Sequence, residues 1–190
     1  HEAYGQPRRS SEDGTLFEHC VRAIDRGLTA GAHGLPLIGS GDWNDGMNRV
    51  GPQGRGESTW LGFFLHNVLS DFVPLCRGRN DHGRANRYAS DAQRLAEALE
   101  RSWDGEWYRR GYYDDGTPLG ARTSSECRID AIPQSWSVIA GGLRLRLPLR
   151  TAVADCYRSI FLNATLPGGV LGDVPRAVNH GREVGDVGRG

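Results

Sequence analysis

The chain has 190 residues, 38% of them apolar, which is enough for one ordinary domain with a buried core. Its 23 basic residues are all arginine, are balanced by 23 acids and are spread along the chain. The field that steers proteins onto phosphate backbones is therefore missing, and nucleic acid is not expected as a partner. No apolar run approaches the ~20 residues of a membrane span, and the opening HEAYGQPRRSSEDG lacks the apolar stretch of a signal peptide, so the segment reads as soluble, without membrane contact of its own.

In chain order, TLFEHCVRAIDRG opens with a capping-box pattern, Thr15 and Glu18, and carries Leu16, Cys20, Ile24 and Leu28 at helical spacing. This predicts a first helix from Thr15. The stretch Ser58 to Leu69 is apolar nearly all round and predicts a buried helix, with Glu57 and Ser58 at its start. Tyr88, Ala92, Leu95 and Leu99 mark a more amphipathic third helix ending near Trp103. A short fourth helix fits Pro133 to Ala140, with proline in its first turn.

Between them run long connections rich in Gly, Asp and Trp: residues 29 to 57, and residues 103 to 132 with a hairpin expected around YYDDGTPLG. Loops of that length in a compact domain are functional or disordered, and their aromatic content argues for function. Helices as scaffold and loops as site fit an all-α toroid of helical hairpins whose loops gather at one end. After Gly142 the composition shifts to seven arginines against four acids without clear periodicity. Residues 143–190 are therefore set apart from 1–142 as a divergent tail, out of frame or poorly ordered. Within the tail, Thr151 to Phe161 offers a weak helical stripe, and Asn163-Ala164-Thr165 is a chance sequon. A chain opening on His1 inside a loop is expected to be a fragment continuing upstream.

The motif GLPLIGSGDWNDGMNRVG, residues 34 to 51, places Asp42, Trp43, Asn44, Asp45 and Asn48 in one glycine-flanked loop. Aromatic faces stack on sugar C–H surfaces while carboxylates and amides bond hydroxyls, so the motif suits a pyranose ring. The bland alternative is that these short polar residues only form turns and caps. An EF-hand reading fails, because Gly46, Met47 and Gln53 stand at the fifth, sixth and twelfth positions. A second group, SSECRIDAIPQSW, sets Glu126, Arg128 and Asp130 on alternating positions, which would share one side of an extended segment. Here a structural ion pair of Arg128 competes with a ligand role. Arg109, Arg110, Asp114 and Asp115 read as a solvated face. Histidines 19, 33, 66 and 82 show neither metal spacing nor a triad partner, and Cys20, Cys76, Cys127 and Cys156, without a CxxC pair, read as reduced buried thiols.

HCVRAIDRGL, AHGLPLIGSGDWNDGMNRVG, GRGESTWLGFFL, RSWDGEWYRRGYYDDGTPLG and SSECRIDAIPQSWSVIAGG resemble, in the same order, blocks of glycoside hydrolase family 94 phosphorylase domains. The likeness is to the β-1,2-glucan type joined to cyclic β-1,2-glucan synthases, and covers roughly residues 2 to 142. It implies an all-α fold, here an incomplete (α/α)6 barrel with long active-site loops and a small hairpin. It also implies inverting phosphorolysis of β-glucan oligosaccharides to α-glucose 1-phosphate, with inorganic phosphate as co-substrate and no other cofactor. An inverting hydrolase needs an acid and a base; phosphate arrives already anionic, so one acid suffices. By the resemblance that acid is Asp45, with a pKa raised to hold its proton at neutral pH. Asp42 and Trp43 would line the donor subsite, and Glu126 and Arg128 would approach from the other loop. The family's phosphate site uses segments before and after this stretch. A cytoplasmic location, or the cytoplasmic part of an inner-membrane protein, and a homodimer are compatible expectations. The competing readings are an inactive sugar-binding remnant, whose truncated barrel leaves Trp60, Phe63 and Phe64 without partners, and an inverting glycosidase on the same barrel.

Overall fold

A computed structural model describes residues 10–141. The tail, with its Thr151 to Phe161 stripe and its sequon, lies outside the described residues. The element order is α1 (Leu16–Gly27), a 3-10 turn (Asp45–Met47), β1 (Glu57–Ser58), α2 (Thr59–Gly78), α3 (His82–Arg101), β2 (Gly111–Tyr112), β3 (Pro118–Leu119) and α4 (Ala131–Ile139). The fold is mostly helical, as expected.

The capping box forms: Thr15 Oγ1 accepts from Glu18 N, and the Glu18 carboxylate accepts from Thr15 N at 2.6 Å. Of the expected apolar stripe of α1, Ile24 is buried and Cys20 and Leu28 pack partly buried against the core, while Leu16 does not. Val21 and Ile24 are buried and Phe17 stacks on Phe72 with centroids 5.2 Å apart, whereas Leu16, before the first complete turn, is 80% exposed.

Helix α2 starts where the sequence put it, with Ser58 as N-cap accepting from Leu61 N at 3.2 Å, but it continues past Leu69 to Gly78 through Pro74. Proline forfeits one main-chain bond there. Phe72, Val73 and Cys76, all buried against α1 and α3, keep the helix running. It ends in a Schellman motif: Asp81 N donates to Cys76 O, Asn80 N donates to Arg77 O, and Asn80 takes the left-handed conformation at φ 60°. Asp81 then caps α3 through Arg84 N. One tight turn thus closes the α2–α3 hairpin, and Tyr88, Ala92, Leu95 and Leu99 are all buried along it, as their spacing predicted.

The core has two parts. One joins Val21 and Ile24 of α1 to Leu69, Phe72 and Cys76 of α2 and Ala85 and Tyr88 of α3. The other joins Phe63, Leu95 and Leu99 to Leu35 and Tyr108 from the loops and to Tyr112 of β2. The expectation that the α2 aromatics lack partners is corrected here. Trp60 is 9% and Phe63 3% exposed; Trp60 and Phe64 both meet Trp136 of α4 edge-on, and Phe63 meets Tyr108. Only Phe64 stays partly open.

The hairpin predicted at residues 112–120 is present as β2 and β3, and β1 adds a third antiparallel strand in the order β1-β2-β3. Two residues are too few to show a period-2 pattern, so β1 was not legible. Ser58 pairs with Gly111, where a Cβ would lie 2.2 Å from the Glu57 carbonyl oxygen. Only glycine permits that approach, which sets Arg110 beside the start of α2, with Thr59 N donating to Arg110 O.

Candidate active site

The loop from residue 34 to 51 is anchored at both ends by apolar side chains: Leu35 and Ile38 on entry and Val50 on exit are all buried. Gly39 (φ 61°) and Gly41 (φ 152°) bend the chain in conformations that L side chains rarely adopt. The polar residues between then organise themselves by short-range bonds. Asp42 Oδ1 accepts from Asn44 N at 3.1 Å, and Asn44 Oδ1 accepts from Gly46 N at 2.9 Å, so Asn44 caps the 3-10 turn that Asp45 opens. The Asp45 side chain lies outside the described residues. Trp43 is 75% exposed, its indole open to solvent. The return of the loop is pinned by Asp114, whose carboxylate accepts from Gln53 N, Arg55 N and Gly56 N at 2.7–2.9 Å.

Arg110 stands at the centre, 2% exposed. Its Nη2 donates to Asp42 Oδ1 at 2.7 Å, its Nε to Asp130 Oδ2 at 3.1 Å and its Nη1 to Ser58 Oγ at 3.2 Å. Ser58 Oγ in turn donates to Asp42 Oδ2 at 2.7 Å. Both Asp42 oxygens are thereby engaged, and its side chain has no solvent exposure. Burial alone would raise the Asp42 pKa; the hydrogen bonds from Arg110, Ser58 and the Asn44 amide outweigh it, and the carboxyl is held below its ordinary value. The sequence reading of Arg109, Arg110, Asp114 and Asp115 as a solvated face is wrong for Arg110, which is buried, and incomplete for Arg109 and Asp114, which are partly exposed but bonded. Arg109 donates to Asp104 at 2.7 Å, and only Asp115 is an exposed turn residue. A doublet of arginines beside two aspartates carries no mark of burial; the signal lay in the flanking aromatics of WYRRGYY, of which Tyr108 and Tyr112 are buried in the core.

The second loop behaves differently from its expected form. Cys127 sits at φ 48°, a left-handed residue that breaks the pleat, so Glu126, Arg128 and Asp130 do not share the regular alternation of an extended strand. Glu126 and Arg128 are exposed, and no ion pair of Arg128 occurs among the described residues; Asp130 turns inward to Arg110 and also caps α4 through Ile132 N at 2.8 Å. Gln134 fixes α4 to the segment that leads into Arg110, with its amide accepting from Tyr108 N and donating to Tyr108 O. Cys127 is exposed and Cys20 half-buried, so of the described thiols only Cys76 is the buried one the sequence led us to expect.

His33 has a partner that its sequence position did not reveal. Its Nδ1 lies 2.5 Å from Oε2 of Glu57, which is 2% exposed, and its ring stacks on Tyr112 with centroids 3.6 Å apart. Two depressions of about 560 and 420 Å³ open beside it, and neither is lined by Asp42, Trp43, Glu126 or Arg128. Among the described residues there is no cluster of three or more His, Cys, Asp or Glu able to hold a metal ion, and no helix long and apolar enough to cross a membrane.

The structure thus brings Asp42, Ser58, Arg110 and Asp130 together from four segments and leaves Trp43, Glu126 and Arg128 at the surface. Residues 5–162 match the sequence profile of the glycosyl hydrolase 94 superfamily, catalytic domain, a span that runs past Gly142. The chain is 51% identical over 143 residues to the cyclic beta-(1,2)-glucan synthase NdvB of Rhizobium meliloti, covering 74% of this chain and 5% of that protein. It is 41% identical over 135 residues to the 3-O-beta-D-glucopyranosyl-beta-D-glucuronide phosphorylase of Paenibacillus borealis, covering 70% of this chain and 17% of that one. With the solabiose phosphorylase of the same organism it shares 37% identity, covering 67% and 17%. The chain therefore spans between 5% and 17% of the length of these relatives, and its helices are consistent with part of an all-α barrel. On the extent of that profile match, over a fold that is helical as the family requires, the chain belongs to the glycosyl hydrolase 94 superfamily.

Proposed function

We propose that this chain carries the acid-bearing segment of an inverting phosphorylase acting on β-linked glucan oligosaccharides. Asp45 is the general acid: it donates its proton to the glycosidic oxygen as the anomeric C–O bond breaks. An oxygen of inorganic phosphate forms the new bond on the opposite face, giving α-glucose 1-phosphate. The reading is supported most by the family match over residues 5–162, which contain the whole Asp42–Asn48 run, and by the likeness to a glucan synthase and to phosphorylases. The exposed Trp43 indole beside Asp45 in sequence is suited to stack on a sugar face. Glu126 and Arg128, both exposed, are the residues of the second loop left available for hydroxyl or phosphate contacts. Asp42 is less suited to a donor-sugar contact, because both its oxygens are already engaged.

The test is release of glucose 1-phosphate from short β-1,2-linked oligoglucans, with and without phosphate, by this chain and by Asp45→Asn. Phosphate-dependent release that disappears in the variant supports the assignment; release retained in Asp45→Asn removes that residue from the role. Product formed without phosphate would instead indicate an inverting glycosidase. The short span of this chain against its relatives favours a second reading, a sugar-binding or structural piece without turnover. It predicts oligoglucan binding, or none, with no glucose 1-phosphate.

A further inference from the structure

The acid proposed above sits on a loop with little apolar anchorage of its own: between Ile38 and Val50 no side chain joins the described core, and Trp43, Asn44 and Asn48 are exposed. Something else must fix where that loop stands. The bonds leading to it run in one direction. The Arg110 guanidinium holds Asp42 at 2.7 Å, Asp42 accepts the Asn44 amide, and Asn44 accepts the Gly46 amide. The residues on both sides of Asp45 are thus tied back to Arg110 through two carbonyl-type acceptors. The same guanidinium holds Asp130, the last residue of the segment that carries Glu126 and Arg128 and the N-cap of α4. Its third donor goes to Ser58, the N-cap of α2.

We infer that Arg110 is a positioning residue for the acid: one buried planar cation orients the Asp42–Asn48 loop and the Glu126–Asp130 loop against each other and against the start of α2. Arginine suits this place because its rigid fork serves three acceptors in fixed directions; a lysine ammonium would be a point charge on a flexible stem. By the same account Asp42 acts through the loop and not on the sugar. The inference rests on the assignment of Asp45 as acid, but the geometric half can be tested without turnover.

Amide hydrogen exchange on the full chain, with Arg110→Lys and Arg110→Met, supplies that test. The Asn44, Leu61 and Ile132 amides should exchange at least about tenfold faster in both variants, since each acceptor they use is itself held by Arg110. Amides inside α3 such as those of Tyr88 and Leu95 should hold their protection in Arg110→Lys. Asp25→Asn, which breaks contacts to Arg87 and Tyr88 away from the site, is the control and should leave Asn44 and Ile132 unchanged. Unchanged exchange at the three site amides overturns the proposal. So does a uniform acceleration in Arg110→Lys that includes α3, which would mark a merely structural arginine. Where the chain turns over oligoglucan, the lysine variant should lose about a hundredfold in kcat with KM changed by less than about threefold, the mark of a misplaced acid. A KM effect alone also overturns it. If wild type has no turnover, the phosphorylase reading fails for this chain while the exchange result still decides the role of Arg110.

Discussion

The α2–α3 hairpin and the loop layer around Arg110 are held by opposite kinds of force. In the hairpin, Leu69, Cys76, Ala85 and Tyr88 bury apolar surface, and each is one of several neighbours doing so. Such burial is non-directional, so a lost methylene costs its transfer energy and a cavity, and the rest of the core remains. In the loop layer one cation satisfies Asp42, Asp130 and Ser58, which come from three separate segments. Directional charge-assisted bonds fix orientation better than apolar contact does, but they concentrate the consequence of failure in one side chain. A scaffold can be built the first way. A loop that must present a residue in one direction needs the second.

The largest expected effect should break the loop layer by its cation. Arg110→Met should cost about 3–5 kcal/mol in denaturant unfolding, because it leaves a buried carboxylate without its partner. Leu69→Ala in the hairpin should cost about 2–5 kcal/mol. Their pH dependence separates the two. The Asp42 pKa lies below its ordinary value in the folded wild type, so the stability it contributes is present above the unfolded value of about 3.9 and lost as pH falls through the folded one. Without Arg110 the same buried carboxyl has its pKa raised, and the penalty is greatest at neutral pH and relieved as the group protonates. The cost of Arg110→Met should therefore shrink between pH 7 and pH 4, while that of Leu69→Ala should stay level. Adding Asp42→Asn to Arg110→Met should give less than the sum of the two single losses.

A smaller effect lies at the joint between the regions. Ser58 both caps α2 and bonds Asp42, so Ser58→Ala should cost about 1 kcal/mol or somewhat more, and faster exchange at the Asn44 amide should accompany the lost cap at Leu61. Loss at the helix alone would show that the two regions are independent. The smallest effect is spectroscopic. Burial, and then its hydrogen bond to Asp25, push the Tyr88 hydroxyl up to about 12. Absorbance titration should resolve one tyrosine ionising about two units after an ordinary phenol, and Tyr88→Phe should remove that late step.

The residues read correctly from sequence share a property: their partners are near in the chain. Thr15 and Glu18 are three apart, Ser58 and Leu61 likewise, and the α3 stripe repeats within one element. The misread ones have distant partners. Arg110 meets Asp42 across 68 positions and Ser58 across 52, and His33 meets Glu57 across 24. An arginine with a buried carboxylate and one with a solvated carboxylate look alike in sequence, since burial is a property of the neighbours. The break at Cys127 was equally hidden, because a left-handed residue other than glycine carries little compositional mark.

By itself, then, the sequence determined the presence of the four helices, the caps of the first two, the central hairpin and the glycine-bent Asp-Trp-Asn-Asp loop, all of which follow from hydrogen bonds and periodicity over a few residues. Only the tertiary structure decided that Asp42 is engaged inward, that Arg110 is its buried counterpart, and that Glu126 and Arg128 face solvent. Those outcomes depend on which segments meet, and the meeting is set by the β1–β2 pairing at Gly111 and by the apolar packing of Leu35, Tyr108 and Tyr112 against α2 and α3.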